Sequence, residues 1–101
     1  MDQEHKNREL AELYKVLASL KNEEEIKTFL GDLCTFKELE QMSQRLSGAI
    51  LLLKGMTYTQ VTSTTEISTA TLSRVSRCIQ YGTGGYRDLL TRYMKDKEND
   101  N

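Results

Sequence analysis

Apolar residues recur at steps of three and four along most of this 101-residue chain, and no proline interrupts them. This spacing is typical of an α-helix with one apolar face, and without proline every backbone amide can take part in a helix. The first such stretch runs from Glu9 to Leu20. The pattern continues to Met94, so we expect an all-α protein of six helices without a strand.

Two capping boxes indicate where the next helices begin. Asn22 with Glu25, and Thr35 with Glu38, have the spacing at which side chains satisfy the free backbone amides of a first helical turn. The second helix is therefore expected to reach about Leu33, and the third to begin after the second box.

The third helix is predicted to be the longest and to end at Gly55, a left-handed C-cap. Residues 49–53 are apolar on nearly all sides of this helix, so they should be covered from more than one direction. A chain of 101 residues buries a limited share of its apolar surface alone, and a partner subunit could supply the cover.

The carboxy-terminal half has the spacing of a helix-turn-helix. Two short helices, Tyr58 to about Thr65 and Thr69 to about Tyr81, are separated by three residues. A final helix is expected over 86–94, followed by a frayed tail at 95–101. Apolar residues that can hold the two short helices together are Val61, Ile67, Leu72 and Val75.

We interpret residues 1–101 as one domain. Its dimerisation core helices are placed at about 9–55 and its helix-turn-helix at 57–81, ahead of the final helix and tail. No apolar run reaches the roughly 18 residues of a membrane-spanning helix, and the polar start does not resemble a signal peptide. A cytoplasmic protein without a membrane partner is expected.

The sign of the charge changes along the chain. Residues 1–40 hold six basic and ten acidic side chains, whereas residues 41–95 hold seven basic and two acidic ones. A basic segment suits contact with phosphates, although a solvated helix face would explain it equally well. Cys34 and Cys78 are far apart and are interpreted as buried thiols. His5 is placed in a mobile start, and no metal, cofactor or catalytic set is expected.

The second helix of the motif begins in a way that suits DNA. Ser68 can cap it, and the small residues that follow let its end approach base edges in a major groove. Five hydroxyl residues between Thr57 and Thr64 are poor helix formers, which favours a contact surface over a purely structural helix. The predicted DNA-binding residues are Thr57, Tyr58, Thr59, Thr62, Ser68, Thr69, Ala70, Thr71, Ser73, Arg74, Arg77 and Lys54.

Four short runs of the sequence carry a resemblance to a known family: Thr35–Glu38, Met42–Arg45, Leu51–Gln60 and Ile67–Arg74. They resemble the Trp repressor superfamily, in particular its branch of Trp-repressor-related proteins called YerC/YecD. The resemblance covers about residues 10–93, and its most specific motif is Ala70–Arg74. It implies an intertwined all-helical homodimer with two reading heads, which would seek a palindromic site on double-stranded DNA.

The same resemblance implies a small-molecule effector pocket. In the Trp repressor two arginines enclose the corepressor, and Arg45 and Arg74 match them, while Thr35 matches a threonine of the pocket. Three positions of the pocket differ from the family. The family's glycine, serine and leucine are replaced in this chain by Val75, Cys78 and Asp32, respectively. The added bulk predicts an effector other than tryptophan, and the two arginines could instead form structural salt bridges.

Two further interpretations stay open. The hydroxyl-rich motif could be an ordinary helical hairpin with a solvated surface. The chain could also be a helical adaptor that binds another protein through the apolar face of the third helix and no longer binds DNA. In the Trp repressor, basic and amide side chains occupy the positions of Thr59 and Thr62, so its operator sequence should not transfer to this chain. An enzyme is the least favoured class.

Overall fold

A computed structural model describes residues 2–100 and contains helices and no strand over that range. The all-α prediction is confirmed. One segment near the carboxyl end is a π-helix, whose hydrogen bonds span five residues instead of four. The elements are α1 Gln3–Ser19, α2 Glu23–Leu33, α3 Phe36–Leu53, α4 Tyr58–Thr64, α5 Thr69–Tyr81, the π-helix Gly85–Leu90 and α6 Thr91–Asn99.

Helix α1 begins at Gln3, so the predicted start at Glu9 was wrong. The Asp2 side chain accepts a hydrogen bond from the backbone N–H of His5 at 2.8 Å and caps the helix. His5 therefore lies in a helical turn and not in a mobile start, and its Nε2 is 3.5 Å from Glu9 Oε1 one turn later. An aspartate next to the first methionine was sufficient to start the helix.

The end of the chain also differs from the prediction of a helix over 86–94 and a frayed tail over 95–101. The Leu89 N–H donates to the Gly84 carbonyl at 3.2 Å, which opens the π-helix, and α6 continues to Asn99. Residues 95–99 are mostly lysine and acidic side chains, of which lysine and glutamate favour helices, and none of them is glycine or proline. Asn101 lies outside the described residues.

The chain divides into two compact units, one up to Leu39 and one from Glu40 onward. In the first unit, one of the two predicted capping boxes forms completely, because Thr35 and Glu38 bond reciprocally at 2.8 and 3.1 Å. The Asn22 side chain caps α2 by accepting from the Glu25 N–H at 2.9 Å, but the Glu25 carboxylate accepts from the Lys21 N–H at 2.9 Å, so the predicted reciprocal bond to Asn22 is absent among these residues. Because the Thr35 N–H and hydroxyl stabilise the ionised carboxylate, the pKa of Glu38 lies below its ordinary value.

The first unit has no core of its own. Among residues 2–39, no side chain is buried. Several large apolar side chains of this unit are more than two fifths exposed: Leu10, Tyr14, Ile26, Leu33 and Phe36. These residues supply the apolar stripes that made the helices predictable, yet within the unit they gain little from burial.

The second unit contains the core. Val61, Ile67 and Leu72 form its centre, with Leu51, Leu52 and Met56 packed against them. Helix α3 ends as predicted, because Gly55 has a φ of +94°, the Gly55 N–H donates to Leu52 and the Met56 N–H donates to Leu51. This hydrogen-bonded turn connects α3 to the helix-turn-helix.

A glycine allows α3 and α5 to approach each other. A Cβ on Gly48 would lie 3.1 Å from Leu72 Cδ2, closer than ordinary van der Waals contact. Ala49 beside it is fully buried. Residues 50–53 are half-buried, so the chain itself supplies part of the cover that their apolar pattern predicts.

Residues 2–100 lack a membrane-spanning helix and a cluster of metal-binding side chains. No helix there is long and apolar enough to cross a membrane. No group of three or more histidine, cysteine, aspartate or glutamate side chains in that range is placed to hold a metal ion.

Candidate nucleic-acid interface

Helix α4 is fixed at both ends by threonine side chains. Thr57 and Gln60 form a capping box, with bonds of 2.8 and 3.1 Å between each side chain and the other residue's N–H. At the other end, the Thr65 hydroxyl donates to the Val61 carbonyl at 2.7 Å and accepts from the Ile67 N–H at 3.1 Å. The turn between α4 and α5 is therefore held by Thr65 as well as by the apolar core.

Helix α5 begins at Ser68, as predicted. The Ser68 hydroxyl accepts from the Thr71 N–H at 3.1 Å and donates to the Thr71 hydroxyl at 3.0 Å. Thr69 and Ala70 are exposed, and Thr71 is half-buried. Leu72 and Val75 point into the core and are at most 1% exposed. The first turn of α5 thus presents short side chains on a helix that is anchored from behind.

The hydroxyl groups of α4 have a structural use that the sequence did not reveal. Thr62, Ser63 and Thr64 donate to backbone carbonyls one turn back, at 3.2, 3.1 and 2.8 Å. These bonds satisfy the hydroxyl donors inside the helix. Richness in threonine and serine is therefore partly explained without a ligand, and the predicted contact by Thr62 stays a prediction.

Four basic side chains of the second unit have no ion-pair partner within residues 2–100. Lys54, Arg74 and Arg77 are exposed and Arg45 is half-buried. The ion pairs found within residues 2–100 are His5–Glu9, Arg8–Glu4 and Arg87–Asp88. The roles predicted for Arg45 and Arg74, an effector site or a structural salt bridge, both stay predictions.

The structure brings part of the predicted effector pocket together. Arg45 and Arg74 line one shallow cleft of about 270 Å³, together with Thr71 and two glutamines, Gln41 and Gln44. No acidic residue lines it. The sequence interpretation missed the glutamines, although Gln41 lies three residues before Gln44 and four before Arg45, the spacing at which side chains are neighbours on a helix.

Val75 and Cys78 do not line this cleft. Val75 is 1% exposed and belongs to the core. Cys78 is exposed, so its interpretation as a buried thiol was wrong, and it lines a second, largely apolar cleft of about 550 Å³ with Leu46 and Tyr86. Cys78 follows the buried Val75 by three residues, a spacing that suggests the same side of the helix. In α5, however, Cys78 lies just outside the buried apolar stripe. Thr35 belongs to the first unit.

Comparison with known proteins identifies relatives over nearly the whole chain. The sequence profile of the family described as Trp repressor protein matches residues 8–94. The uncharacterized protein YerC of Bacillus subtilis strain 168 is 42% identical over 93 residues, which are 92% of this chain and 88% of YerC.

Two crystal structures are similar in fold and in sequence. A candidate Trp repressor from Staphylococcus aureus superposes with a TM-score of 0.81 at 38% identity, over 92% of this chain and 95% of that protein. A TrpR-like protein from Eubacterium eligens gives a TM-score of 0.82 at 35% identity, over 91% and 95% of the two chains. The helical architecture is therefore shared with solved proteins along its length.

Proposed function

The chain belongs to the Trp repressor family, a family of helical DNA-binding regulators, and we propose that it is a sequence-specific transcriptional regulator that reads a major groove with α5. Repression of its target genes, in the cytoplasm, is the mode of regulation that we propose. The family is a regulator family and not an enzymatic one, which agrees with the regulator proposal.

The observation that carries this proposal is the form of the α5 amino-terminal end. Its first turn has short exposed side chains, Thr69 and Ala70, while Leu72 behind them is fully buried and fixes the helix to the core. A rigid helix end without bulky side chains can approach the base edges in a major groove. Arg74 and Arg77 follow on the same helix and supply positive charge for phosphates.

A homodimer is the assembly that we propose. The helices up to Leu39 have apolar stripes but no buried side chain within residues 2–39, and a second copy of the chain would bury those stripes. A dimer with two-fold symmetry would carry two reading heads, so its preferred DNA should be a palindrome with half-sites spaced by about one helical turn.

A small-molecule effector other than tryptophan is proposed for the polar cleft beside α5. Two guanidinium groups and two amides line the cleft, so it suits an anionic ligand, with phosphate or carboxylate as the group recognised. Because Thr71 lines the same cleft, an occupant would lie next to a residue proposed to read DNA. This adjacency supports a coupling between binding of the effector and binding of DNA.

The experiment that tests the function is selection of bound duplexes from a random DNA library by the purified full-length protein at moderate salt. Selection is run with and without a small-molecule extract of cells. Enrichment of a palindromic motif supports the proposal, and a requirement for the extract supports an effector. No enrichment in either condition contradicts the proposal and favours the protein–protein adaptor.

A further inference from the structure

The polar cleft between α3 and α5 is lined by side chains that donate hydrogen bonds. Helix α3 contributes Gln41, Gln44 and Arg45, and α5 contributes Thr71 and Arg74. No aliphatic, aromatic or acidic residue lines the cleft. A ligand with an apolar body would leave that body without an apolar contact, whereas a small polar anion can accept hydrogen bonds from the guanidinium and amide groups.

The charge of the cleft suits a dianion better than a monoanion. Arg45 and Arg74 stay protonated, and neither has an ion-pair partner within residues 2–100. A carboxylate offers one negative charge, whereas a phosphate monoester carries about 1.5 to 2 negative charges at neutral pH. The amides of Gln41 and Gln44 can donate to and accept from hydroxyl groups on the rest of such a ligand. Two guanidinium groups in one cleft therefore favour a phosphate monoester.

Arg74 belongs both to this cleft and to the surface that is proposed to meet DNA. It is exposed, and it follows the first turn of α5, where Thr69 and Ala70 are exposed. A guanidinium group that is bonded to an anion in the cleft cannot give the same hydrogen bonds to a DNA phosphate. The anion also brings negative charge beside Thr71, where it would repel the DNA backbone.

We propose that the cleft binds a small phosphate monoester and that this ligand and DNA weaken each other's binding. The inference rests on the proposed function, because it concerns DNA binding by α5, and it adds the chemical class of the effector and the direction of the coupling. For a repressor, such a ligand is an inducer and not a corepressor. The coupling is reciprocal, so DNA weakens binding of the phosphate monoester by the same factor.

The test measures affinity for the selected DNA site by fluorescence anisotropy in glycerol 3-phosphate, sodium acetate or sodium chloride. All three are used at the same ionic strength and pH, which removes the general effect of salt on DNA binding. Arg45→Gln removes one charge of the cleft at a residue outside the predicted DNA-binding set. Arg92→Gln is the matched control, because Arg92 is an exposed arginine of α6 that does not line the cleft. Calorimetric titration without DNA measures binding of glycerol 3-phosphate itself.

Saturating glycerol 3-phosphate should lower the DNA affinity of wild type by about 5- to 150-fold relative to chloride, the usual range of coupling between two ligands. Acetate should have a smaller effect. Arg45→Gln should lose most of this antagonism and bind glycerol 3-phosphate more weakly without DNA, whereas Arg92→Gln should match wild type in both. The antagonism is the ratio of DNA affinities with and without the ligand, and circular dichroism verifies that each variant is folded.

Three results would overturn the inference while the proposed function stands. The first is a wild-type protein that does not bind glycerol 3-phosphate in the absence of DNA. The second is a DNA affinity that rises with glycerol 3-phosphate, follows ionic strength alone or falls as much with acetate. The third is an Arg45→Gln protein with the full antagonism. If wild type selects no DNA site, the proposed function fails together with the inference.

Discussion

The two units of this chain have similar apolar patterns but differ in how they bury them. From Glu40 onward, Val61, Leu72 and Val75 are at most 1% exposed and hold the helix-turn-helix together. Up to Leu39 the apolar stripes are equally regular, yet no side chain from Asp2 to Leu39 is buried. A periodic apolar stripe thus predicts a helix and a face to be covered, but it does not say which chain covers that face.

The two units should therefore differ in whether their stability depends on the concentration of the protein. The second unit has its own core, so its stability should be a property of one chain. The first unit needs further cover, and in a homodimer its stability would depend on the concentration of the protein.

Leu72→Ala should cause the largest loss of stability. Leu72 is fully buried at the centre of the core, and truncation there removes its contacts and leaves a cavity. We expect a decrease of about 2–5 kcal/mol in the free energy of unfolding, at every protein concentration. Urea denaturation measures it, and a loss below about 1 kcal/mol would show that the second unit does not depend on this core.

Leu33→Ser should weaken the dimer instead. Leu33 is 51% exposed within the chain, so a solitary chain would hardly respond to the change. If a second copy covers it, the dissociation constant of the dimer should rise at least about tenfold, since roughly 1.5–3 kcal/mol accompanies burial of a leucine. Sedimentation over a range of concentrations measures the constant.

Lys27→Ser is the matched control for that experiment, because it changes a polar exposed residue on the same helix, α2. The control should dissociate like wild type. Equal dissociation constants for wild type, Leu33→Ser and Lys27→Ser would contradict the assignment of the first unit to a dimer interface.

Arg77→Ala should change the salt dependence of DNA binding and leave the dimer intact. Arg77 is exposed on α5 and has no ion-pair partner within residues 2–100. If each copy of Arg77 neutralises one phosphate, the slope of log K against log salt should become less steep by about 0.9 per copy, or about 1.8 for the proposed homodimer. Filter binding or fluorescence anisotropy at several salt concentrations gives the slope, with Lys27→Ala as the control that should not alter it.

Glu38→Gln should have the smallest effect, visible only in acid. The pKa of Glu38 is held below its ordinary value of 4.5 by hydrogen bonds from Thr35, so the ionised form stabilises the fold above that pH. This contribution is lost as the pH falls through the lowered pKa. Glutamine can keep the capping bond and does not titrate.

Wild type should therefore lose more stability than Glu38→Gln between about pH 5 and pH 3, as measured by urea denaturation at each pH. Identical pH profiles of the two proteins would mean that this capping box makes no net contribution to the folding of α3.

Features set by neighbouring residues could be predicted from the sequence. Four local features lie where the sequence placed them: the N-cap Asn22, the capping box of Thr35 and Glu38, the left-handed Gly55 and the N-cap Ser68. Each depends on contacts within one turn of helix, which the local sequence specifies.

Features set by distant contacts could not be predicted. The close approach of Gly48 to Leu72 and the placement of Arg45 beside Arg74 depend on how α3 and α5 pack. The π-helix after Gly84 has no local sequence signal of comparable strength. The start of α1 is a different case. The capping residue Asp2 is a local signal for the helix start, but the prediction followed the apolar pattern instead.

The proposed homodimer is tested most directly by the mass of the full-length protein in solution, measured by sedimentation equilibrium over a wide range of concentrations. We expect a particle of twice the 11.6 kDa chain that persists on dilution. A particle of 11.6 kDa at all concentrations would contradict it, because the apolar stripes before Leu39 would then lack a second copy to cover them.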